Sequence, residues 1–370
     1  MKRLLCAALS ALLLLTCQTA FAGRLEVDLS VDGTPVSDML YGAFYEDINF
    51  AADGGLYAEL LRNRSFENRS LTSPKSSDSF TGWMFNHLNR AEGTVTRMTE
   101  GGLNDNNTTY MRVSVESGAY RVVNFGYSTV IGRAGIPLDE GAEYGFYCFL
   151  RSADFSGRIS AALTTVGGSP LSDAIELTPS GEWQKLSGVF TAKETTDAVL
   201  SLTLEGRGSV DIDMVSLLPK SAFGASWLSG GLRADLVEAL RALSPRFIRF
   251  PGGCVAEGSY FKANAYNWKD TIGAPETRRE NENTWGYMQS YGLGFDEYFR
   301  LCEELNAEPL PVVHASTLCQ ARGSQDAPYT ETEKESHIQD VLDLIEYANG
   351  DETTAYGALR AKTAIPRRIT

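Results

Sequence analysis

Residues 246–253 have the sequence RFIRFPGG, and this stretch decides the fold class of the 370-residue chain. In a strand over residues 246–250, successive side chains point to opposite faces, so Phe247 and Arg249 share one face and Ile248 lies on the other. The Pro-Gly-Gly turn that follows lets the backbone approach a ligand closely. A buried arginine keeps its charge and therefore needs an anionic partner such as a carboxylate. We expect a strand that ends at a binding site, with a purely structural arginine as the alternative.

Helices and strands alternate around this stretch. Leucines at helical spacing in residues 232–243 predict one helix, and those in residues 301–305 predict a second. Residues 309–313 predict another strand, and residues 333–347 predict a third helix. This order is typical of a βα barrel or a doubly wound sheet.

The N-terminal part is predicted to supply the first strand of the same unit. Residues 24–29, RLEVDL, alternate polar and apolar side chains and predict a half-buried strand. Residues 39–44 are a short apolar run and predict a second strand. After two glycines, residues 56–66, LYAELLRNRSF, predict a helix with three leucines on one face.

A segment of different character separates these parts. Residues 70–80 are serine-rich and predict a linker, while residues 110–219 contain short alternating segments that are typical of an antiparallel β-sandwich. We predict an α/β plus all-β protein, an incomplete (β/α)8 TIM barrel with an inserted antiparallel β-sandwich. The predicted boundaries are 1–22 for a signal peptide, 23–67 for the N-terminal strand and first barrel βα unit, 68–219 for a carbohydrate-binding-like sandwich, and 220–370 for a truncated barrel portion.

The first residues predict export. Lys2 and Arg3 precede an apolar run over residues 4–15, and a small-residue cleavage site ends at Ala22. The run is too short for a stable membrane anchor, so we expect a secreted, periplasmic or cell-surface protein cleaved after Ala22. A lipoprotein acylated at Cys17 is the alternative, although the threonine directly before it disfavours this.

Composition excludes several classes of partner. The net charge of −14 argues against nucleic acid and anionic membranes, and a neutral polysaccharide is compatible with it. The histidines lie far apart without metal-ligand spacing, so no metal or cofactor is expected. They are His87, His314 and His337. The cysteines after the signal peptide show no disulfide framework, and we expect mostly free, buried thiols. They are Cys148, Cys254, Cys302 and Cys319.

Two pairs of residues are candidates for ligand contacts. Glu46 and Asp47 are adjacent, so in a strand they point to opposite faces and are not a catalytic dyad. One of them suits hydrogen bonding to ligand hydroxyls while the other pairs with a surface cation; a solvated loop is the alternative. Trp268 and Trp285 suit stacking on a ligand ring, although core packing is the more common role.

Three segments carry a resemblance to a known family: YGAFYEDINFAADGGLYAELLRNRSFE (residues 41–67), RFPGGC (249–254) and YGLGFDEYFRLCEELNAEPL (291–310). The chain resembles glycoside hydrolase family 51, the α-L-arabinofuranosidases, in the subgroup with a carbohydrate-binding-like sandwich inserted early. WQKLSGVF and VDIDMVSLLP resemble the carbohydrate-binding modules of that subgroup. The resemblance covers Arg24 to Arg360.

The resemblance implies a (β/α)8 barrel with a C-terminal β-sandwich. It also implies release of terminal non-reducing α-L-arabinofuranosyl residues from arabinoxylan or arabinan, in L-arabinose catabolism, with retention of configuration. Retention needs two carboxyl groups about 5 Å apart. Glu46 matches a glutamate that binds the arabinose ring, Arg249 an arginine beside the nucleophile, and Cys254 a Cys or Asn near the substrate. His314 departs from the asparagine and glycine expected there. The predicted substrate-binding residues are Glu46, Arg249, Gly252, Gly253, Cys254 and Trp268.

No catalytic residue is assigned. The family's acid/base glutamate lies in a Gly-Asn-Glu motif after the fourth barrel strand, and its nucleophile lies on the seventh. This chain contains no Gly-Asn-Glu, and only three barrel strands are predicted. We therefore expect both catalytic glutamates to be absent and the chain as written to be inactive.

The final residues of the chain suggest why the two catalytic glutamates are absent. After YGALR (residues 356–360) the family continues along the lines of Ala-x-Asn-Gly-His-Pro, whereas this chain continues AKTAIPRRIT. Loss of one adenine from a plausible coding string for AKNGHPAPYH gives this sequence, so we hypothesise a frameshift near Lys362. Alternatives to the hydrolase are a non-catalytic carbohydrate-binding protein and a related glycosidase acting on xylosides or β-glucans. The expected partner is an arabinose-containing polysaccharide or oligosaccharide.

Overall fold

The computed structural model describes most of the chain after the predicted signal peptide, which lies outside the described residues. The described residues are 25–28, 30, 33–68, 80–128, 130, 132–222, 231–319 and 326–362. The chain divides into two units, one up to Leu40 and one from Tyr41 onward. In the first, residues 25–28 form no strand, so that prediction is wrong for them, and Asp38–Leu40 form a 3-10 turn. The serine-rich segment lies almost wholly outside the described residues.

The second unit combines strands and helices. The strands are β1 (Ala43–Phe44), β2 (Trp83–Met98), β3 (Tyr110–Asn124), β4 (Ile136–Leu138), β5 (Glu143–Arg151), β6 (Ser156–Thr164), β7 (Ile175–Leu177), β8 (Gln184–Thr191), β9 (Thr196–Pro219), β10 (Phe247–Phe250), β11 (Asn281–Glu282), β12 (Met288–Gln289) and β13 (Glu308–Pro311). The α-helices are α1 (Ala234–Leu243), α2 (Gly253–Glu257), α3 (Phe295–Leu305), α4 (Glu331–Asn349) and α5 (Ala355–Lys362). Within the described ranges, no helix combines the length and apolar character needed to cross a membrane.

Strands β2 to β9 form an antiparallel sheet. Its main path runs β2-β3-β9-β5-β8, while β4 pairs with β9, and β6 pairs with both β7 and β9. The 24-residue strand β9 pairs with β3, β4, β5 and β6 along its length, so it organises the whole sheet. Alternate residues of these strands are buried in one large apolar cluster. The antiparallel strands predicted from residue 110 to residue 219 are present.

Strands β1, β10 and β13 form a separate parallel sheet in that order. Phe44, Arg249 and Leu310 are aligned across it. The predicted alternation is confirmed: Phe250 is fully buried and its ring stacks on Tyr298 of α3 at 4.3 Å between centroids. The opposite face is open, because Phe44 is 56% and Leu310 49% exposed. The first strand is shorter than predicted, since only Ala43 and Phe44 pair with β10.

The helices begin and end where local signals place them. Helix α1 ends at Ser244, which adopts the left-handed conformation just before the proline that cannot continue the helix. Helix α3 begins after Gly294, whose N–H donates to the Glu297 side chain at 2.8 Å; this is one of the two hydrogen bonds of a capping box. Thr330 and Glu333 form both bonds of a capping box at helix α4, because the Thr330 hydroxyl also accepts from Glu333 N. All three predicted helices after residue 231 are therefore present.

The helix predicted over residues 56–66 is wrong. This segment is irregular, and its backbone bonds to distant segments, with Ala58 N donating to Gly231 O at 2.8 Å and Leu60 N to Leu217 O at 2.9 Å. Leu56 packs in the core beside the parallel sheet, whereas Leu61 packs in the core of the antiparallel sheet. The leucines of this segment therefore pack into two different cores and do not form one face of a helix.

Candidate functional site

The candidate site lies where the parallel strands end. Glu46 follows β1 by two residues, and Gly252, Gly253 and Cys254 follow β10 directly. Because parallel strands end at the same edge of a sheet, these residues come together although they are far apart in sequence. Binding sites of α/β folds are built at this edge.

Arg249 extends from β10 on the open face of the sheet. Its guanidinium carbon lies 4.7 Å from the ring centroid of Phe44, which is a cation–π contact. Among the described residues, Arg249 forms no ion pair within 4.0 Å. The face therefore presents a permanent cation to a ligand or to an anionic group placed above the sheet.

The carboxyl group of Glu46 is held beside Gly252. Gly252 has a φ of +124°, and a Cβ atom there would lie 2.7 Å from Glu46 Cγ. Partial burial raises the pKa of Glu46, and this effect is opposed by a side-chain hydrogen bond from Trp285 and by the charge of Arg249. Trp285 is 37% exposed. The Glu46 carboxyl group therefore lies among the Arg249 guanidinium, the Trp285 indole and the backbone of Gly252.

Asp47 has a different environment from Glu46. It is buried, and its carboxylate accepts hydrogen bonds from Gln289 Nε2 at 2.7 Å, Tyr287 Oη at 2.9 Å and Ala52 N at 3.0 Å. Burial raises its pKa despite these donors. The expectation that the second carboxylate pairs with a surface cation is wrong. Asp47 instead anchors the loop after β1 to the β11–β12 hairpin.

The hairpin is fixed in turn by a buried ion pair. Arg278 donates to Glu297 through Nη2 at 2.9 Å and through Nη1 at 3.0 Å, and both side chains are less than 10% exposed. The same guanidinium donates to the carbonyl oxygens of Tyr291 and Gly273. Trp285 therefore projects from a hairpin that is tied to the N-terminus of α3.

Comparisons with known proteins find relatives along most of the chain. A family model described as the alpha-L-arabinofuranosidase 1 domain matches residues 239–367. An extracellular exo-alpha-L-arabinofuranosidase of Streptomyces chartreusis is 40% identical over 352 residues, covering 92% of this chain and 40% of that protein. Alpha-L-arabinofuranosidase 1 of Arabidopsis thaliana is 32% identical over 92% of this chain and 49% of its own length. Over nearly its whole length, this chain is therefore similar to α-L-arabinofuranosidases.

A solved structure supports the same assignment. An arabinose-bound α-L-arabinofuranosidase of glycoside hydrolase family 51 superimposes with a TM-score of 0.77 at 28% identity, covering 90% of this chain and 52% of that one. The chain spans about half the length, or less, of these relatives. The match confirms the resemblance to this enzyme and a fold of mixed helix and sheet content.

Trp268 does not lie at the site, which corrects the prediction of a substrate contact. It is 4% exposed, its Nε1–H donates to Asp340 O at 2.8 Å, and its ring packs against Tyr347 and Tyr356. Large aromatic side chains supply much of the apolar area that a core buries, and Trp268 fulfils that role. Of the two tryptophans considered from the sequence, Trp285 is the one beside Glu46.

The cysteines among the described residues are free, as predicted. One contact was not anticipated: the Cys254 and Cys319 sulfurs and a Glu257 carboxylate oxygen lie within 4.8 Å of one another. Burial and the neighbouring Cys319 raise the pKa of the Cys254 thiol to about 11. No local pattern predicts this contact, because Cys254 follows β10 whereas Cys319 follows β13.

His314 is part of a buried aromatic cluster. Its Nε2 lies 3.0 Å from the Tyr329 hydroxyl, and its ring contacts that of His337 at 4.5 Å. Burial and His337 lower the pKa of His314 to about 4, so its imidazole is neutral near neutral pH. The position at which the resemblance led us to expect an asparagine and a glycine is thus occupied by a packed, uncharged ring.

Proposed function

We propose that this chain forms the first three strands of a (β/α)8 barrel with an inserted antiparallel β-sandwich. The parallel strand order β1-β10-β13 supports the barrel. In the chain, α1 lies between β1 and β10, and α3 lies between β10 and β13, as in successive βα units. The long antiparallel segment between β1 and β10 supports the insertion. We propose residues 23–67 as the N-terminal strand and first barrel unit, 68–219 as the inserted sandwich and 220–370 as the rest of the barrel portion.

The activity proposed is that of an α-L-arabinofuranosidase, a hydrolase that releases terminal α-L-arabinofuranosyl residues with retention. Glu46, Arg249, Gly252, Gly253 and Cys254 are proposed to surround the sugar. A half-buried carboxylate suits the hydroxyl groups of a furanose ring, because it accepts several hydrogen bonds at once. The glycines let the sugar approach the backbone.

Arg249 is a cation on an open sheet face, without an ion-pair partner among the described residues and beside a positioned carboxyl group. A retaining glycosidase requires a nucleophilic carboxylate that stays ionised, and an adjacent guanidinium lowers the pKa of such a group. We propose that Arg249 serves that carboxylate in the assembled hydrolase.

The proposed substrate is arabinoxylan or arabinan outside the cell. The Streptomyces relative is named extracellular, and residues 1–22 have the pattern of a signal peptide. A neutral polysaccharide is compatible with the acidic chain, whose net charge is −14. Secretion would bring the protein to polymers too large to enter a cell.

Ligand binding by the chain tests the sugar site. Methyl α-L-arabinofuranoside is titrated by saturation-transfer NMR into the chain and into its Glu46→Gln and Arg249→Met variants. Loss of a hydrogen bond to a charged group costs about 1.5–3 kcal/mol, so binding should weaken about tenfold or more. The control, Arg158→Met, alters an exposed arginine of the antiparallel sheet and should bind normally.

The hydrolytic activity is tested on the protein made by its own cells. It should release 4-nitrophenol from the aryl α-L-arabinofuranoside, and NMR of the first product should show retained configuration. The proposal would be contradicted if Glu46→Gln and Arg249→Met bound the arabinofuranoside as tightly as the parent chain. Hydrolysis of the aryl xyloside faster than that of the aryl arabinofuranoside would also contradict it. The latter result would favour a related glycosidase.

A further inference from the structure

The thiols of Cys254 and Cys319 form a cluster with the carboxylate of Glu257. The three donor atoms lie within 4.8 Å of one another. Cys254 and Glu257 are three residues apart on α2, so their side chains lie on the same side of the helix. Cys319 comes from the segment after β13, the strand beside β10. Two neighbouring strand ends therefore bring three potential metal ligands together.

The donor set has a definite chemical preference. Cysteine thiolates bind zinc and similar borderline or soft cations, whereas calcium and magnesium require oxygen ligands. Zinc bonds of about 2.3 Å to sulfur and about 2.0–2.2 Å to oxygen place tetrahedral ligands a little under 4 Å apart. Donors within 4.8 Å need only a small contraction to reach this geometry.

We propose that Cys254, Glu257 and Cys319 form a binding site for one zinc-type divalent cation. Cys319 is 1% exposed, while Cys254 and Glu257 are half-buried, so a cation reaches the sulfurs from the side of α2. Thr317 donates to Glu257 Oε1 at 3.4 Å and can orient that carboxylate. Three protein ligands leave a fourth position for water, and the ion would link α2 to the segment after β13.

The site does not depend on the proposed hydrolase activity, because its ligands and their geometry belong to the described chain alone. Cys254 also belongs to the proposed sugar site, so a bound ion would lie at its edge. Cation binding and sugar binding are therefore measured separately, and either can fail without the other.

Cobalt(II) absorption spectroscopy on the reduced full chain tests the proposal. Thiolate ligands give an intense charge-transfer band, and the titration should saturate at one ion per chain, with zinc displacing cobalt. Loss of even an indirect partner of a metal site costs about 10–100-fold in affinity, so Cys319→Ala and Glu257→Gln should each weaken binding at least about tenfold. The matched control is Cys302→Ala, another buried cysteine, which should leave the band unchanged.

Folding of each variant is checked by circular dichroism. Because Cys319 is buried, Cys254→Ala provides a second sulfur variant at a half-exposed position. Absence of a charge-transfer band in the folded chain, or a band that persists in a folded sulfur variant, would overturn the proposal. A Cys254–Cys319 disulfide in the peptide map, with no cobalt bound after reduction, would also overturn it by assigning the pair to a covalent bridge.

Discussion

The side chain of Glu46 occupies the space that a side chain at Gly252 would need: a Cβ atom there would lie 2.7 Å from Cγ and 2.9 Å from Cδ of Glu46. The glycine also has φ +124° and ψ 158°, a region that is essentially restricted to glycine. The conformation of the Pro-Gly-Gly turn and the position of the Glu46 carboxyl group therefore both require glycine at position 252.

Gly252→Ala tests this relationship. The backbone strain should lower the free energy of unfolding by about 1–3 kcal/mol, and displacement of Glu46 should weaken arabinofuranoside binding. Urea denaturation and ligand titration measure the two effects. Gly253→Ala is the stability control, since a Cβ there would meet Arg249 Nη2 at an ordinary 3.8 Å. Equal stability of the two variants would contradict the account.

The two tryptophans should respond differently to replacement by phenylalanine. Trp285→Phe removes the hydrogen bond to Glu46 from a half-exposed ring, so sugar binding should fall roughly fivefold, or ~1 kcal/mol, with little change in stability. Trp268→Phe removes buried volume and the bond to Asp340 O, so it should lower stability by about 1–3 kcal/mol. Thermal denaturation and NMR titration distinguish them, and a reversed pattern would return Trp268 to the site.

The Arg278–Glu297 pair should be a large contributor to stability. Arg278→Met leaves an uncompensated buried carboxylate, which costs about 3–5 kcal/mol. Arg158→Met breaks an ion pair with Glu176 whose side chains are 62% and 53% exposed, and should cost less than about 1 kcal/mol. Both values come from urea denaturation. A small effect at Arg278 would mean that the hairpin carrying Trp285 is held by other contacts.

Stability should depend on pH through Asp53. Its carboxylate is buried against Ser290, and burial followed by the charge of Asp47 raises the pKa of Asp53 from 3.8 to about 6. The folded chain therefore binds a proton more tightly than the unfolded chain, so this contribution is complete below about pH 4 and is lost as the pH rises through about 6. The difference of about two pKa units corresponds to ~3 kcal/mol.

Urea denaturation between about pH 4 and pH 7 checks whether stability falls as the pH rises. The free energy of unfolding should decrease less steeply with pH in Asp53→Asn than in the parent chain. The exposed Glu182→Gln substitution should leave the slope unchanged. A slope in Asp53→Asn equal to that of the parent would show that other groups control the dependence.

The sequence predicted those features that depend on local periodicity. The face shared by Phe247 and Arg249 followed from two-residue alternation, and α1 followed from its leucines and the proline beyond them. The helix predicted over residues 56–66 failed because leucine spacing does not reveal that Leu56 and Leu61 enter different cores.

The environments of site residues depended on contacts between distant segments. Glu46 was a candidate from its segment, but its contacts with Gly252 and Trp285 required the folded chain. The burial of Asp47 under Tyr287 and the approach of Cys319 to Cys254 have no local signature in the sequence. Chemistry at single residues was therefore predictable, while the partners of those residues were not.

We propose that an arabinofuranosyl ring binds on the open face that carries Arg249, beside Glu46. A crystal structure of the chain with methyl α-L-arabinofuranoside tests this most directly. We expect a ring hydroxyl about 3 Å from the Glu46 carboxylate, with Trp285 at the edge of the sugar. A sugar bound only to the antiparallel sheet, with Glu46 and Arg249 contacting solvent, would contradict it.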